Sequence, residues 1–189
     1  MRRTDDDWTL PESVATRPGK IVYLSLGSLA SADLELMQRL VGFLAESPYR
    51  VIVSKGPQHE LLDLADNMVG AEFLPQTSVL PLVDLVITHG GNNTQTECLY
   101  FGKPTVVLPV FWDQYDNAQR VDELGLGRRL DTYECRGAEL TGAIDALLSD
   151  ERLGRRLAMI SKRVQEDPGT FKAAGLVERL AETGQPVNA

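Results

Sequence analysis

Short apolar runs alternate with amphipathic stretches along this chain, and that alternation sets the expected order of elements. Ile21-Val22-Tyr23-Leu24-Ser25-Leu26 reads as a buried strand, closed by Gly27-Ser28. From Asp33 to Leu44, the residues Leu36, Met37, Leu40, Val41 and Leu44 recur at helical spacing, with Ser31 as the expected cap. Val51-Ile52-Val53 predicts a second strand, and a short helix is expected over His59 to Leu64. Val69 to Leu74 predicts a third strand and Leu85-Val86-Ile87-Thr88 a fourth, with a helix after it from Asn93 to about Phe101. Thr105-Val106-Val107-Leu108 predicts a fifth strand, and a helix is expected from about Gln114 to Leu124.

The remainder reads as helical. Leu140, Ile144, Leu147 and Leu148 mark one amphipathic face, and Leu153, Leu157, Ile160 and Val164 another. Pro168-Gly169 breaks the pattern before a last helix carrying Phe171, Leu176, Val177 and Leu180. Strands alternating with helices predict βαβ units and an α/β class fold, a Rossmann-like doubly wound parallel sheet. The expected division is a linker or arm over 1–19, a ligand-binding domain over 20–165, and a C-terminal helix and tail over 166–189. In such sheets, ligands bind beyond the carboxyl ends of the strands.

Composition narrows the function classes. The 189 residues are 43% hydrophobic and 24% charged, as in an ordinary globular domain, with a formal net charge of -8. That charge argues against broad nucleic-acid binding, which needs a basic surface. It leaves room for one phosphate site at a helix N-terminus. Cys98 and Cys135 are too few for a disulfide framework and have no metal-ligand spacing with His59 or His89, so a reduced, cytoplasmic setting is expected. The start, Met1-Arg2-Arg3 before Asp5-Asp6-Asp7, has no apolar h-region of a signal peptide. The stretch from Val79 to Ile87 contains Asp84 and is too short for a membrane span.

Four clusters of candidate chemistry fall at the expected strand ends. The first is Thr88-His89-Gly90-Gly91-Asn92-Asn93-Thr94, with Glu97 three residues on. Its glycines allow a tight turn and close approach of a ligand, and a helix start offers free N–H groups to a diphosphate. His89, Asn93 and Thr94 add donors, and Glu97 is placed to accept from ribose hydroxyls; the plain alternative is a Gly-Gly turn with an Asn or Thr cap. The second is Phe111-Trp112-Asp113-Gln114-Tyr115-Asp116-Asn117-Ala118, where a carboxylate beside a carboxamide suits vicinal sugar hydroxyls. Its alternative is that Asp113 merely caps the next helix. The third is Phe73-Leu74-Pro75-Gln76, an aromatic ring to stack on a base with Gln76 or its backbone reading the base edge, or else a core Phe and a turn. The fourth is Ser25-Leu26-Gly27-Ser28, where Gly27 and Ser28 make a phosphate contact or an ordinary turn.

The run from Phe73-Leu74-Pro75-Gln76 through Ile87-Thr88-His89-Gly90-Gly91 to Phe111-Trp112-Asp113-Gln114 and Asn117-Ala118 resembles the signature of the UDP-glycosyltransferases. These are GT-B enzymes of glycosyltransferase family 1, which includes macrolide glycosyltransferases. The likeness covers roughly residues 20–148, and Leu124-Gly125-Leu126-Gly127 also resembles the family's next segment. The resemblance implies a donor-binding, C-terminal Rossmann-like half of a GT-B enzyme. It implies that Phe73 stands where the family often has a base-stacking tryptophan and Gln76 where a glutamine meets the base. His89 would contact the diphosphate, with Ser28, Gly90, Gly91, Asn93 and Thr94 nearby. Glu97 would bind the ribose, and Asp113 and Gln114 the sugar. Asn92 departs from the tryptophan of the plant enzymes.

The resemblance also implies no resident cofactor and no divalent metal, the donor being a substrate, a UDP-sugar. A whole enzyme of the family is about twice this length, with two Rossmann-like domains facing across a cleft. The acceptor pocket and catalytic histidine would then lie in an N-terminal domain, supplied in cis or by a partner chain in trans, and no catalytic residue is expected here. The function expected is UDP-hexose binding for an inverting transfer to a small-molecule acceptor. The alternatives are the donor subunit of a split two-chain enzyme and a non-enzymatic nucleotide-sugar sensor.

Overall fold

The computed structural model describes residues 8–167 and 169–186. The expectations for the extreme N-terminus and for Pro168 fall outside that range. Six strands form one parallel sheet: β1 (Ile21–Ser25), β2 (Arg50–Ser54), β3 (Met68–Ala71), β4 (Leu85–Thr88), β5 (Thr105–Val107) and β6 (Gly127–Arg129). Their order is β3-β2-β1-β4-β5-β6, and all five pairings are parallel. Because parallel sheets are covered on both faces, their strands are apolar throughout, and β1 and β4 are buried at every position.

Alternate residues feed two cores. Val22 and Leu24 of β1, Val51 and Val53 of β2, and Leu85 and Ile87 of β4 belong to the larger one. There they meet helix α3 (Leu34–Ala45) through Leu36, Met37, Leu40 and Leu44, and helix α7 (Gly137–Ser149) through Leu140, Ile144 and Leu147. Ile21, Tyr23, Ile52 and Val86 face the smaller core, with Val79, Leu80 and Cys98. The four leucine and isoleucine side chains Leu40, Leu44, Leu140 and Ile144 are fully buried, and each contributes about 1.5–3 kcal/mol of hydrophobic stabilisation.

The remaining helices are α1 (Glu12–Ala15), α2 (Gly27–Ala30), α4 (Gln76–Val79), α5 (Asn92–Tyr100), α6 (Gln114–Glu123), α8 (Glu151–Glu166) and α9 (Gly169–Thr183). Several local expectations are revised. The cap of α3 is Asp33, whose carboxylate accepts from Leu36 N at 3.0 Å; Ser31 instead donates back to the Gly27 carbonyl, since it lies two residues too early. The helix expected over His59 to Leu64 is a single 3-10 turn, His59–Leu61. β3 ends at Ala71, so Phe73 and Leu74 lie beyond the strand instead of continuing it. The edge strand β6 was not foreseen, because Gly127-Arg128-Arg129 has no apolar run to announce it.

The segment before β1 is docked along its described part. Val14 of α1 is fully buried, Trp8 and Leu10 pack on the smaller core, and the Arg50 guanidinium donates to the Gly19, Val14 and Ala15 carbonyls. No helix among the described residues is long and apolar enough to cross a membrane.

Candidate functional site

In the order β3-β2-β1-β4-β5-β6, the chain reverses its direction of growth between β1 and β4. That switch point opens a crevice at the carboxyl edge, because the loops after these two strands leave in opposite directions. A cavity of about 450 Å³ lies there, within the range of small-molecule sites. Ser25, Gly27 and Ser28 reach it from the end of β1, and His89 and Gly91 from the end of β4. Asn92, Asn93 and Thr94 enter from the first turn of α5, Ser54 from β2, and Phe73, Leu74 and Gln76 from the loop after β3.

His89 is held between two glycines. A Cβ on Gly27 would stand 2.8 Å from His89 Cε1, and one on Gly91 would stand 2.6 Å from Nε2, so neither position admits a side chain while the ring stays in place. Gly27 also has φ +72, a conformation that L side chains rarely adopt. The ring hydrogen-bonds the Ser25 backbone, and Nδ1 lies 3.5 Å from Thr88 Oγ1. Burial holds the imidazole below its ordinary pKa, opposed by the negative charge of Asp113 and by the Ser25 carbonyl. His89 therefore presents a neutral ring near pH 7 with a single N–H, which the Ser25 carbonyl accepts here.

The N-cap of α5 is Gly91, and no side chain caps this helix. The reading of Asn93 or Thr94 as a simple cap is thereby removed. The N–H groups of the first turn, with the positive end of the helix dipole behind them, are directed to the cavity without a side-chain acceptor. Gly90 has a different part. Its φ is +90, and a Cβ there would stand 2.8 Å from Val107 Cγ1, so it lets the turn lie on β5 without lining the cavity.

One turn into α5, Glu97 is almost fully buried, and its carboxylate accepts from Gln76 Nε2 at 2.5 Å. The same nitrogen donates to Thr94 Oγ1 at 3.2 Å, and Ser25 Oγ reaches Gln76 Oε1 at 3.5 Å. Behind them Tyr23 is buried, and desolvation pushes its phenol up to about 12 against hydrogen bonds with Ser25 and Ser54. Phe73, by contrast, is exposed on the cavity's rim and is not a core residue.

The loop after β5 stands apart from these walls. Asp113 precedes α6 in helical conformation, but its side chain caps nothing. Its Oδ2 accepts from Asn92 Nδ2 and from Asn117 Nδ2, both at 3.1 Å, and Asn117 also donates to the Gly90 carbonyl at 2.9 Å. The two candidate loops are thus tied together. Gln114 is buried, and its Oε1 accepts from Val110 N and Phe111 N at 3.0 and 3.1 Å. Trp112, between Phe111 and Asp113, is exposed and has φ 53.

Of the residues expected from sequence, Ser28, Phe73, Gln76, His89, Gly91, Asn93 and Thr94 meet around one cavity. Glu97 stands one contact behind it, and Gly90, Asp113 and Gln114 do not line it. Tyr23 and Ser54 were missed; the signal available was a polar residue near the carboxyl end of an apolar strand. Asn92 and Asn117 were missed as partners of Asp113, although the spacing of Asn117 four residues on was there to read. His59 lies elsewhere, 3.7 Å from Glu72. Among the described residues, no group of three or more His, Cys, Asp and Glu is placed to hold a metal.

Comparison with known proteins gives concordant matches. The family profile described as UDP-glucoronosyl and UDP-glucosyl transferase matches residues 13–169. The chain is 35% identical over 161 residues to NDP-glycosyltransferase YjiC of Bacillus subtilis, covering 84% of this chain and 41% of that protein. It is 29% identical over 181 residues to the oleandomycin glycosyltransferase of Streptomyces antibioticus, covering 94% and 41%. Among solved structures, the glycotransferase of kitacinnamycin superposes with a TM-score of 0.82 at 30% identity, over 95% of this chain and 46% of that one. The calicheamicin glycosyltransferase CalG4 gives 0.79 at 25% identity, over 96% and 48%. The chain thus spans about two fifths of the curated relatives' length.

Proposed function

This chain belongs to the UDP-glucoronosyl and UDP-glucosyl transferase family, with the fold of one half of a GT-B glycosyltransferase, and from that premise we propose that its crevice binds the nucleotide-sugar donor, a UDP-hexose. The observation that carries this reading is the neutral His89 clamped between Gly27 and Gly91 beside the uncapped start of α5. In this reading the N–H groups of the first turn of α5 meet the diphosphate without a net positive charge, and the single N–H of His89 passes from the Ser25 carbonyl to a phosphate oxygen. In this reading Ser28, Asn93 and Thr94 complete the phosphate cradle. Glu97 takes the ribose hydroxyls by charge-assisted bonds, and Phe73 stacks on the base while the backbone at 75–76 meets its edge.

The hexose lies toward the loop after β5. Asp113, exposed and tethered by Asn92 and Asn117, accepts from its hydroxyls. Gln114, with its oxygen given to Val110 and Phe111, contributes its amide nitrogen and the shape of the loop. No resident metal or cofactor enters this reading. Inverting transfer to a small-molecule acceptor also needs an acceptor pocket and a general base. We place both in a facing domain, in cis or in trans, because His89 serves the phosphate and His59 lies outside the crevice.

Calorimetric titration tests the reading. UDP should bind, and His89→Ala should weaken it by about 1–3 kcal/mol, the usual range for a hydrogen bond to a charged group. Uridine, which has no phosphates, should be indifferent to the change. Equal losses for both ligands would place His89 in the fold alone, and absence of UDP binding would remove the proposal.

A further inference from the structure

Gln76 sits at the start of α4, delivered by the Pro75 turn to a point between β1 and α5. Its amide spans three elements: Nε2 donates to Glu97 on one side and to Thr94 on the other, while Oε1 faces Ser25 Oγ at the end of β1. An amide has two N–H donors, and here both are directed at side chains of α5. A side chain so committed has no donor left for a base. The contact to Glu97 Oε2, at 2.5 Å, is the shorter of the two that Nε2 makes. It holds one oxygen of a buried carboxylate toward the start of α4.

We propose that Gln76 is a positioning residue for Glu97, orienting the carboxylate that accepts from the ribose. This rests on the reading of the crevice as a ribonucleoside-diphosphate site, and it gives Gln76 a task different from contact with the base. The consequence is a specificity role: Gln76 governs the preference for ribose over deoxyribose without touching either sugar hydroxyl.

The test compares UDP with 2′-deoxyuridine diphosphate by calorimetry on the full chain. The wild type should prefer UDP by about tenfold, the equivalent of one good hydrogen bond. Gln76→Met keeps the volume and removes the donor, so the ratio should fall to about twofold or less. Gln76→Glu sets a second carboxylate against Glu97, and two such groups in contact cannot both ionise cheaply. With one proton shared between them the geometry is rebuilt. The preference should therefore return near about pH 5.5 and vanish near about pH 8 in this variant, and stay level in the wild type.

The charged and titratable groups around the pair do not imitate this pattern. Tyr23 on β1 is pushed up to about 12 by burial, and the Cys98 thiol on α5 is pushed well above its ordinary value. Lys103, beyond Cys98, is lowered by burial and interacts with Asp84, Cys98 and Lys20. His89, held below its ordinary pKa by burial, meets the phosphates common to both ligands, so its effect cancels in the ratio. A ratio unchanged in Gln76→Met, with equal loss for both ligands, overturns the proposal and gives Gln76 back to the base. So does a pH-independent ratio in Gln76→Glu. Failure of the wild type to bind UDP removes the site's reading itself, and the proposal with it.

Discussion

Around the ends of β1 and β4, Ser25, Gln76, His89 and Thr94 all line one cavity of about 450 Å³; after β5, Asp113 and Gln114 lie off that cavity and bond to the protein's own groups. The first region is an arrangement of donors around an empty volume, with two glycines cut back to make room for a ring. In the second, Gln114 closes its own loop by accepting two backbone N–H groups, and the carboxylate of Asp113 is shared by two asparagines. The lesson is that one region gathers polar groups from several strand ends around a shared cavity, while the other is chiefly a stabilised loop with one exposed carboxylate.

The largest effect that would sharpen this contrast is on folding. Gln114→Leu leaves the Val110 and Phe111 N–H groups without their acceptor beside a buried side chain, and each such group costs about 1–3 kcal/mol. Chemical denaturation should therefore show a loss of about 2–6 kcal/mol. A stability within about 0.5 kcal/mol of wild type would mean that the loop does not depend on Gln114.

A smaller effect should separate the two ends by ligand. Asp113→Ala should lower the affinity for UDP-glucose by about 1 kcal/mol, as for a single exposed hydrogen bond, and leave plain UDP nearly unchanged. An equal loss for UDP would break the contrast, making Asp113 part of the nucleotide end through its tether to Asn92.

The smallest is a matter of pH. His89 is partly buried with a lowered pKa, so the unfolded chain takes up a proton near 6.5 while the folded chain resists it. Its contribution to stability is complete above 6.5 and is lost as pH falls through 6.5 toward the lower folded value. Thermal midpoints measured from about pH 7.5 to about pH 5.5 should decline more steeply for wild type than for His89→Gln. Parallel curves would show that the ring is not desolvated.

Much of the fold is legible in the sequence. β1, β2, β4 and β5 announce themselves as short apolar runs, and α3 and α5 begin within a residue or two of where periodicity and turn chemistry place them. β6 is not legible, because an edge strand of Gly and two arginines owes its place to pairing with β5. The glycine pair after β4 could be read as a ligand-binding turn, but not that Gly91 makes room for His89 while Gly90 makes room for Val107.

The chain's local order of strand, Gly-containing turn and helix was determined by sequence alone, because periodicity and turn chemistry act over a few residues. That order placed the candidate clusters at strand ends. Only the tertiary structure decided their partners. The strand order β3-β2-β1-β4 carries the loop after an outer strand over to the central switch point, where Gln76 meets Glu97, 21 residues on, and Ser25, 51 residues back. A partly buried amide and a buried carboxylate bond to whichever neighbour the packing delivers, and that neighbour is fixed by the sheet and not by distance along the chain.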